Sequence, residues 1–546
     1  MRAAIARLIL QKGFSMSKFR TLLLVSTLIP LAACGADNVA SPGEGVIIVS
    51  TPGPSSPAPT PGPSAPAPTP GGPFTGATPA GFIDRGVIGG RRVFELPPRF
   101  TQDTTIQNLP GAVYQIAGPV NVGTDVGGDG AAAGGQSVTL TIQAGTILVA
   151  TDGSYLVVNR GSRLNAIGTA TAPIIFTADD QITGTVQDTS QGLWGGVILL
   201  GRAPISDCNT QVAGGSAGCQ QVIEGTTNSL YGGNQPNDNS GSLRFVQFRY
   251  SGTVIAPGNE LQGLTMGGVG QLTTVDHIQV HNSSDDGIEI FGGRVNTKFL
   301  ALTGIDDDGL DTDLGYRGTS QFVIGVQRDN QNGDSMIEAD SNGNEDALPR
   351  QYTRVSNATF VQRSTVQGGN VILLRGGADY ALLNSVVVGP QACLDIDETG
   401  GTTTRGADAT TQDLGAPVFR SVVLACPTAF RSDGNVTPEV VGTIFGSGTN
   451  GNNSAFTASL TSVFINGTNE NGVTATDPTP FNADTLAGSG QPNTGAPNRL
   501  EAVTFIGAVR NQQDVTTNFG GWTCNASYVS FGSTSGSCTA LPAIPT

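Results

Sequence analysis

The sequence predicts an all-β chain wound as a solenoid, and three observations carry that expectation. The first is a repeat: Ile278-Gln279-Val280 is followed by Asp285-Asp286-Gly287 and Ile288-Glu289-Ile290, and 22 residues further on Leu300-Ala301-Leu302 is followed by Asp307-Asp308-Gly309 and Leu310-Asp311-Thr312. A unit that short, made of two alternating apolar triplets joined by polar turns, cannot bury its own apolar side and must stack on copies of itself. The second is local texture. From Val138 the chain reads VTLTIQAGTILVA and then YLVVNRGSRLNAIGTATAPIIFTA up to Ala178, short β-branched runs broken by Gly with no helical period. The third is supply: 546 residues with 77 Gly, 32 Pro and 6% aromatic side chains suit a narrow interior better than a thick sandwich core.

Taken from the start, the chain opens with an export signal. Lys18 and Arg20 precede an apolar run from Thr21 to Ala33, too short to span a bilayer as a stable helix, and Met16 serves as a start as well as Met1 does. The run ends in Leu31-Ala32-Ala33-Cys34, which resembles the lipobox of bacterial lipoproteins. That resemblance implies a signal peptide over 1–33 and lipidation at Cys34; the bland alternative is an unmodified cysteine after an ordinary cleavage site. Gly35 and Ala36 follow in place of Asp, and the family rule then favours a lipid anchor in the cell outer membrane. Residues 34–82 read as a tether. Thr51 to Pro73 contains ten prolines among Gly, Ser, Ala and Thr, a polyproline-like composition that reaches roughly 70 Å at full extension.

Beyond the tether, 83–137 are expected to cap the first rung, 138–440 to form the solenoid and 441–546 to cover the last rung, hiding an otherwise unpaired strand edge. Gly161-Ser162-Arg163-Leu164 and Pro173-Ile174-Ile175-Phe176-Thr177 resemble the opening coils of right-handed parallel β-helix proteins of the pectate-lyase-like superfamily. Trp194-Gly195-Gly196-Val197-Ile198 and Asp285-Asp286-Gly287 are similar to segments of surface lipoproteins of Gram-negative bacteria. The resemblance implies a right-handed parallel β-helix and leaves function open, because the superfamily holds lyases, hydrolases, adhesins and inert scaffolds.

Six cysteines remain beside Cys34, an even number that suits an oxidising compartment. Cys208 and Cys219, and Cys524 and Cys538, are close enough to staple loops. Aligning Val388 with Leu424 puts Cys393 and Cys426 on neighbouring rungs. A zinc site is the alternative, without any Cys-x-x-Cys spacing to support it. Trp522, beside two cysteines, is expected to pack on a disulfide rather than line a sugar site.

The solenoid turns sequence position into a surface ladder, since counterparts on successive rungs lie about 4.8 Å apart. After Ile288-Glu289-Ile290-Phe291 and Leu310-Asp311-Thr312-Asp313 come Ile337-Glu338-Ala339-Asp340, Ile372-Leu373-Leu374-Arg375, Leu394-Asp395-Ile396-Asp397 and Phe430-Arg431-Ser432-Asp433. First and third residues point inward; second and fourth face water. One face therefore carries Glu289, Asp311, Asp313, Glu338, Asp340, Asp395, Asp397 and Asp433, interrupted by Arg375 and Arg431. Two carboxylates about 5 Å apart repel by roughly 3 kcal/mol at an effective dielectric of 20. Such a face needs solvation or a cation, and calcium, a hard ion taking six to eight oxygens, fits it. Asp311, Asp313, Glu289, Glu338 and Asp340 are the expected metal ligands. Asp285, Asp286, Asp307, Asp308, Asp395, Asp397, Arg375 and Arg431 are the expected ligand-binding residues. A solvated acidic surface is the alternative for all of them.

A net charge of −16 disfavours nucleic acid as a partner and favours cations. Polygalacturonases of this superfamily pair an Asp-Asp element with Gly-His-Gly and Arg-x-Lys motifs, which this chain lacks. A calcium-dependent lyase would need a cationic base, for which Arg375, Arg431, Arg294 and Lys298 are candidates. His277 and His281 alternate with Ile278 and Val280 and are expected on the polar outer surface. The expectation is a surface lipoprotein that binds a glycan or nutrient with calcium and without turnover, an outer-membrane transporter being a candidate partner. The alternatives are a polysaccharide lyase or glycoside hydrolase, and a structural or adhesive surface protein.

Overall fold

The computed structural model describes residues 71–256, 259–330, 332–341, 343–365, 369–398, 401–431, 435–484 and 495–545. The export signal, Cys34, most of the tether and Asp433 lie outside them.

The chain winds into a parallel β-helix. In the central body each rung contributes one short and one long strand. Ile288–Phe291 pairs in parallel with Leu310–Asp313, and Thr274–His281 with Asn296–Thr303. The short strands stack as one sheet of eleven, from Arg99–Phe100 to Thr428–Arg431, and the long ones belong to a sheet of seventeen. All six expected rungs pair in the expected register: Ile288, Leu310, Ile337, Ile372, Leu394 and Phe430 follow one another inward, while Glu289, Asp311, Glu338, Leu373, Asp395 and Arg431 follow one another outward. Ile278, Val280, Ile288, Ile290, Leu300, Leu302 and Leu310 are fully buried in one apolar core running from Phe94 to Phe445. Rungs stack so closely that a Cβ on Gly287 would lie 2.6 Å from the Gly309 carbonyl oxygen, which is why the repeated turn ends in Gly.

Strand alternation slips once in each long strand. Val275, Ile278 and Val280 all point into the core, spaced three and then two, because His277 between them is left-handed with φ 56°. Phe245, Phe299, Phe322, Asn357, Asn384 and Ser421 hold the same conformation at the equivalent place, so the bend recurs rung after rung. The aromatic members stack, with ring centroids 4.3 Å apart for Phe245 and His277, 4.5 Å for His277 and Phe299, and 4.9 Å for Phe299 and Phe322.

Three features depart from the sequence-based expectation. Winding begins before Val138: Arg91–Glu95 pairs in parallel with Ala112–Ile116, and that strand with Ile147–Ala150, while Phe74 and Phe82 already pack on the core. At the other end the helix Pro438–Phe445 closes the last rung, with Phe445 against Phe419 and Phe430, and the chain after it pairs with the last long strand, the Asn453 amide donating to the Val422 carbonyl and the Leu424 amide to the Asn453 carbonyl. Beyond Phe456 the C-terminal region does not cap. It runs back along the outer face of the long-strand sheet, from Val386 and Val423 past Ala301, Phe322 and Ile324, until the Ile544 carbonyl accepts from the Gly71 amide at the first rung. The outer face explains this strap, because it carries apolar side chains and amides that need partners. Gln279 donates to the Cys524 carbonyl at 3.1 Å and accepts from the Cys524 amide at 2.7 Å.

The strap also takes both histidines largely out of water, against expectation. His281 is wholly buried, with Nδ1 3.0 Å from Thr303 Oγ1 and its ring stacked on Tyr528. Trp522 is buried between Phe245, His277 and Phe519. The third departure is an insertion between Val197–Leu200 and Gly241–Arg249. It carries the Cys208–Cys219 disulfide and the hairpin Gln221–Val222/Leu230–Tyr231, and packs Ile205, Ile223 and Tyr231 on the outer side of the short-strand sheet. Cys393–Cys426 and Cys524–Cys538 are also bonded. Val387, rather than Val388, aligns with Leu424, one residue from the expected register, and the two cysteines still meet.

Candidate functional site

The short-strand sheet and the insertion enclose a cleft of about 430 Å³. The rungs supply Glu289, Asp311, Asp313, Glu338, Asp340 and Arg375, and the insertion supplies Asp207, Glu224 and Tyr231. All five carboxylates expected as metal ligands thus line one cleft. They do not all face open water as expected, because the insertion covers the cleft: Glu289 and Asp313 are only 6% and 7% exposed, and Asp311, Glu338 and Asp340 are half-buried. Strand geometry points these side chains out of the coil, and the insertion then takes Glu289 and Asp313 out of water.

The consequence is electrostatic. Burial, then the charges of Asp311 and Glu224, pushes Glu289 well above the usual carboxylate range. Burial and the neighbouring Asp313 and Glu338 do the same to Asp311. Burial, Asp340 and Glu338 push Asp313 up to about 8, with Arg375 opposing. Arg375 is the sole cation lining the cleft among the described residues, half-exposed and paired with Glu338 and with Asp340 at 2.9 Å. Glu289 Oε2 and Asp313 Oδ1 are buried and have no hydrogen-bond partner among the described residues. A buried oxygen without a partner costs the full desolvation of that group, about 1 to 3 kcal/mol and more when charged. One oxygen each from Asp286, Glu289 and Asp311 lie within 4.8 Å of one another, near enough for a single ion to touch all three.

The repeated Asp-Asp-Gly turns divide by role. Asp286 Oδ1 accepts from the Asp308 amide at 2.9 Å, and Asp308 Oδ1 from the Ser335 amide at 2.8 Å. The second carboxylate of each turn therefore pins its rung to the next, a structural task that the ligand-binding expectation for Asp286 and Asp308 did not include. The first carboxylates, Asp285 and Asp307, meet Asp286 in a second group of oxygens within 4.8 Å. Burial and Asp307 push Asp285 up to about 8, and burial and Asp334 push Asp307 up to about 6.

Other expected residues lie apart. Leu373 interrupts the acidic ladder after Glu338. Asp395 and Arg431 beyond it pair with each other at 3.7 Å, and neither they nor Asp397 line the cleft. Arg294 and Lys298 pair with Asp484 and Glu501 of the strap, away from the cleft. Asp207, Glu224 and Tyr231 have no signal in the sequence, since an insertion outside the repeat has no register to place it.

Residues 125–479 match the family model described as a pectate-lyase like beta helix domain. The chain belongs to that family. Comparison with curated proteins finds no match, and comparison with solved structures finds none. The matched range includes both the rungs and the insertion that line the cleft.

Proposed function

We propose that this β-helix protein is a surface lipoprotein that binds calcium in the cleft between the short-strand sheet and the insertion, and through it a glycan or nutrient ligand, without turnover. The carrying observation is the pair of buried oxygens without a partner among the described residues, Glu289 Oε2 and Asp313 Oδ1, in a cleft with seven carboxylates and one arginine. Calcium satisfies such oxygens, neutralises their repulsion and leaves coordination positions for a ligand. Glu289, Asp311 and Asp313 would hold the ion, with Glu338, Asp340 and Asp286 beside them. Binding is favoured over β-elimination because Arg375, the candidate base within the cleft, is engaged by Glu338 and Asp340. The Cys34 anchor and Pro-rich tether would hold the body at the outer membrane, where a transporter can receive what is captured.

The test is thermal unfolding in EDTA and in millimolar calcium. Stabilisation by calcium, saturating as mass action requires, supports the reading. Equal melting temperatures in both refute the calcium part and leave a solvated acidic face.

A further inference from the structure

On the strap side of the coil the charge balance reverses. Arg294, Arg317 and Arg354 are 5%, 3% and 3% exposed; the first two pair with Asp484 of the strap, and Arg354 donates to the Arg317 carbonyl beside them. Arg317 binds that carboxylate with two bonds of 2.7 and 2.6 Å and donates a third to the Arg350 carbonyl. Arg354 lies over the Tyr352 ring at 4.3 Å and donates to the carbonyls of Gly318, Arg317 and Phe481. Arg294 is different. Nη1 reaches Asp484 at 3.1 Å, whereas Nε and Nη2 are buried without any hydrogen-bond partner among the described residues.

Two buried guanidinium groups thus share one carboxylate, with a third buried beside them, in a chain of net charge −16. Residues 485–494, which follow Asp484, contain no Asp or Glu that could balance them. Guanidinium groups remain charged at any accessible pH, so the deficit cannot be relieved by losing a proton as it can among carboxylates. A buried charge left unpaired is strongly unfavourable. Two adjacent N–H donors on one edge of a guanidinium are the fork that takes two oxygens of an oxyanion.

We propose that Arg294, supported by Arg317 and Arg354, is an anion-binding site for a small oxyanion of the phosphate or sulfate class. The ion accepts from Nε and Nη2 of Arg294 and supplies the negative charge that Asp484 alone does not. Because Asp484 belongs to the strap and the arginines to the rungs, the bound ion also fastens strap to coil. This site is independent of the calcium reading, shares no residue with the acidic cleft, and takes a ligand of opposite charge.

The experiment is phosphate titration of the full protein, followed by calorimetry and by melting temperature, beside Arg294→Gln. Sodium chloride of equal ionic strength controls for screening, and the variant controls for the general stabilisation that phosphate and sulfate give by exclusion from protein surfaces. The expected result is saturable binding of one phosphate per wild-type chain with a rise of a few degrees at about a hundredfold excess over Kd, and loss of both in Arg294→Gln. Equal responses in the two proteins overturn the site, leaving an adventitious ion only. If Arg294→Gln does not fold, calorimetry of the wild type alone decides: no saturable heat with phosphate or sulfate overturns the proposal.

Discussion

Replacing Asp313 by Asn should make the metal-free protein more stable while removing its response to calcium. In the folded state burial, Asp340 and Glu338 push Asp313 up to about 8, whereas an unfolded aspartate titrates near 4. The folded state therefore binds more protons than the unfolded state between roughly pH 4 and 8, and stability falls as pH rises through that window. At pH 7 the displacement costs about 4 kcal/mol, an upper figure because neighbouring carboxylates share the protons. Asparagine keeps the shape and has no proton to lose. For a folded body of this size the entropy of unfolding is about 1 kcal/mol/K, so Asp313→Asn should raise the melting temperature in EDTA by up to about 4 °C at pH 7 and flatten its decline with pH. In millimolar calcium the wild type should gain stability and the variant should not. Scanning calorimetry of both proteins from pH 5 to 8, with EDTA or calcium, checks each part. A variant less stable than wild type in EDTA that still responds to calcium would refute the reasoning.

Other outcomes follow from the same geometry. Leu302→Ala removes a fully buried rung side chain and should cost about 2 to 5 kcal/mol in denaturant unfolding. Gln279→Ala deletes both bonds to the Cys524 backbone and should cost about 1 to 3 kcal/mol, read most directly as faster hydrogen exchange in the strap around Cys524. Cys34→Ser should move the protein from the membrane fraction to the soluble one; unchanged fractionation and mass would disprove lipidation. Calcium competes with protons for Glu289, Asp311 and Asp313, so its apparent affinity should rise from pH 6 to 8, and a flat profile would place the ion elsewhere.

The rungs are legible in the sequence because a solenoid repeats one local problem. Gly287 and Gly309 occupy the same close approach, and the inward triplets around them obey alternation, so the register from Ile288 to Phe430 can be counted along the chain. Burial of the ladder is not legible. Whether Glu289 faces water depends on where residues 204–238 fold back, and that is set by Ile205, Ile223 and Tyr231 meeting Phe291 and Leu314, contacts with no period. The strap escapes for the same reason. Its partners, Gln279 at Cys524 and Gly71 at Ile544, are joined only through the finished coil. Alternation at Ile278 does place His277 outside the coil, yet neither the left-handed bend at that residue nor Trp522 above it can be read from the pattern.

Calorimetric titration of the full protein with calcium, beside the double variant Glu289→Gln/Asp311→Asn, tests the cleft most directly. The cleft geometry predicts saturable calcium binding to the wild type and none at that site in the variant, with the fold of the variant unchanged by circular dichroism. Calcium heats that are the same in both proteins, or absent from the wild type, would contradict it.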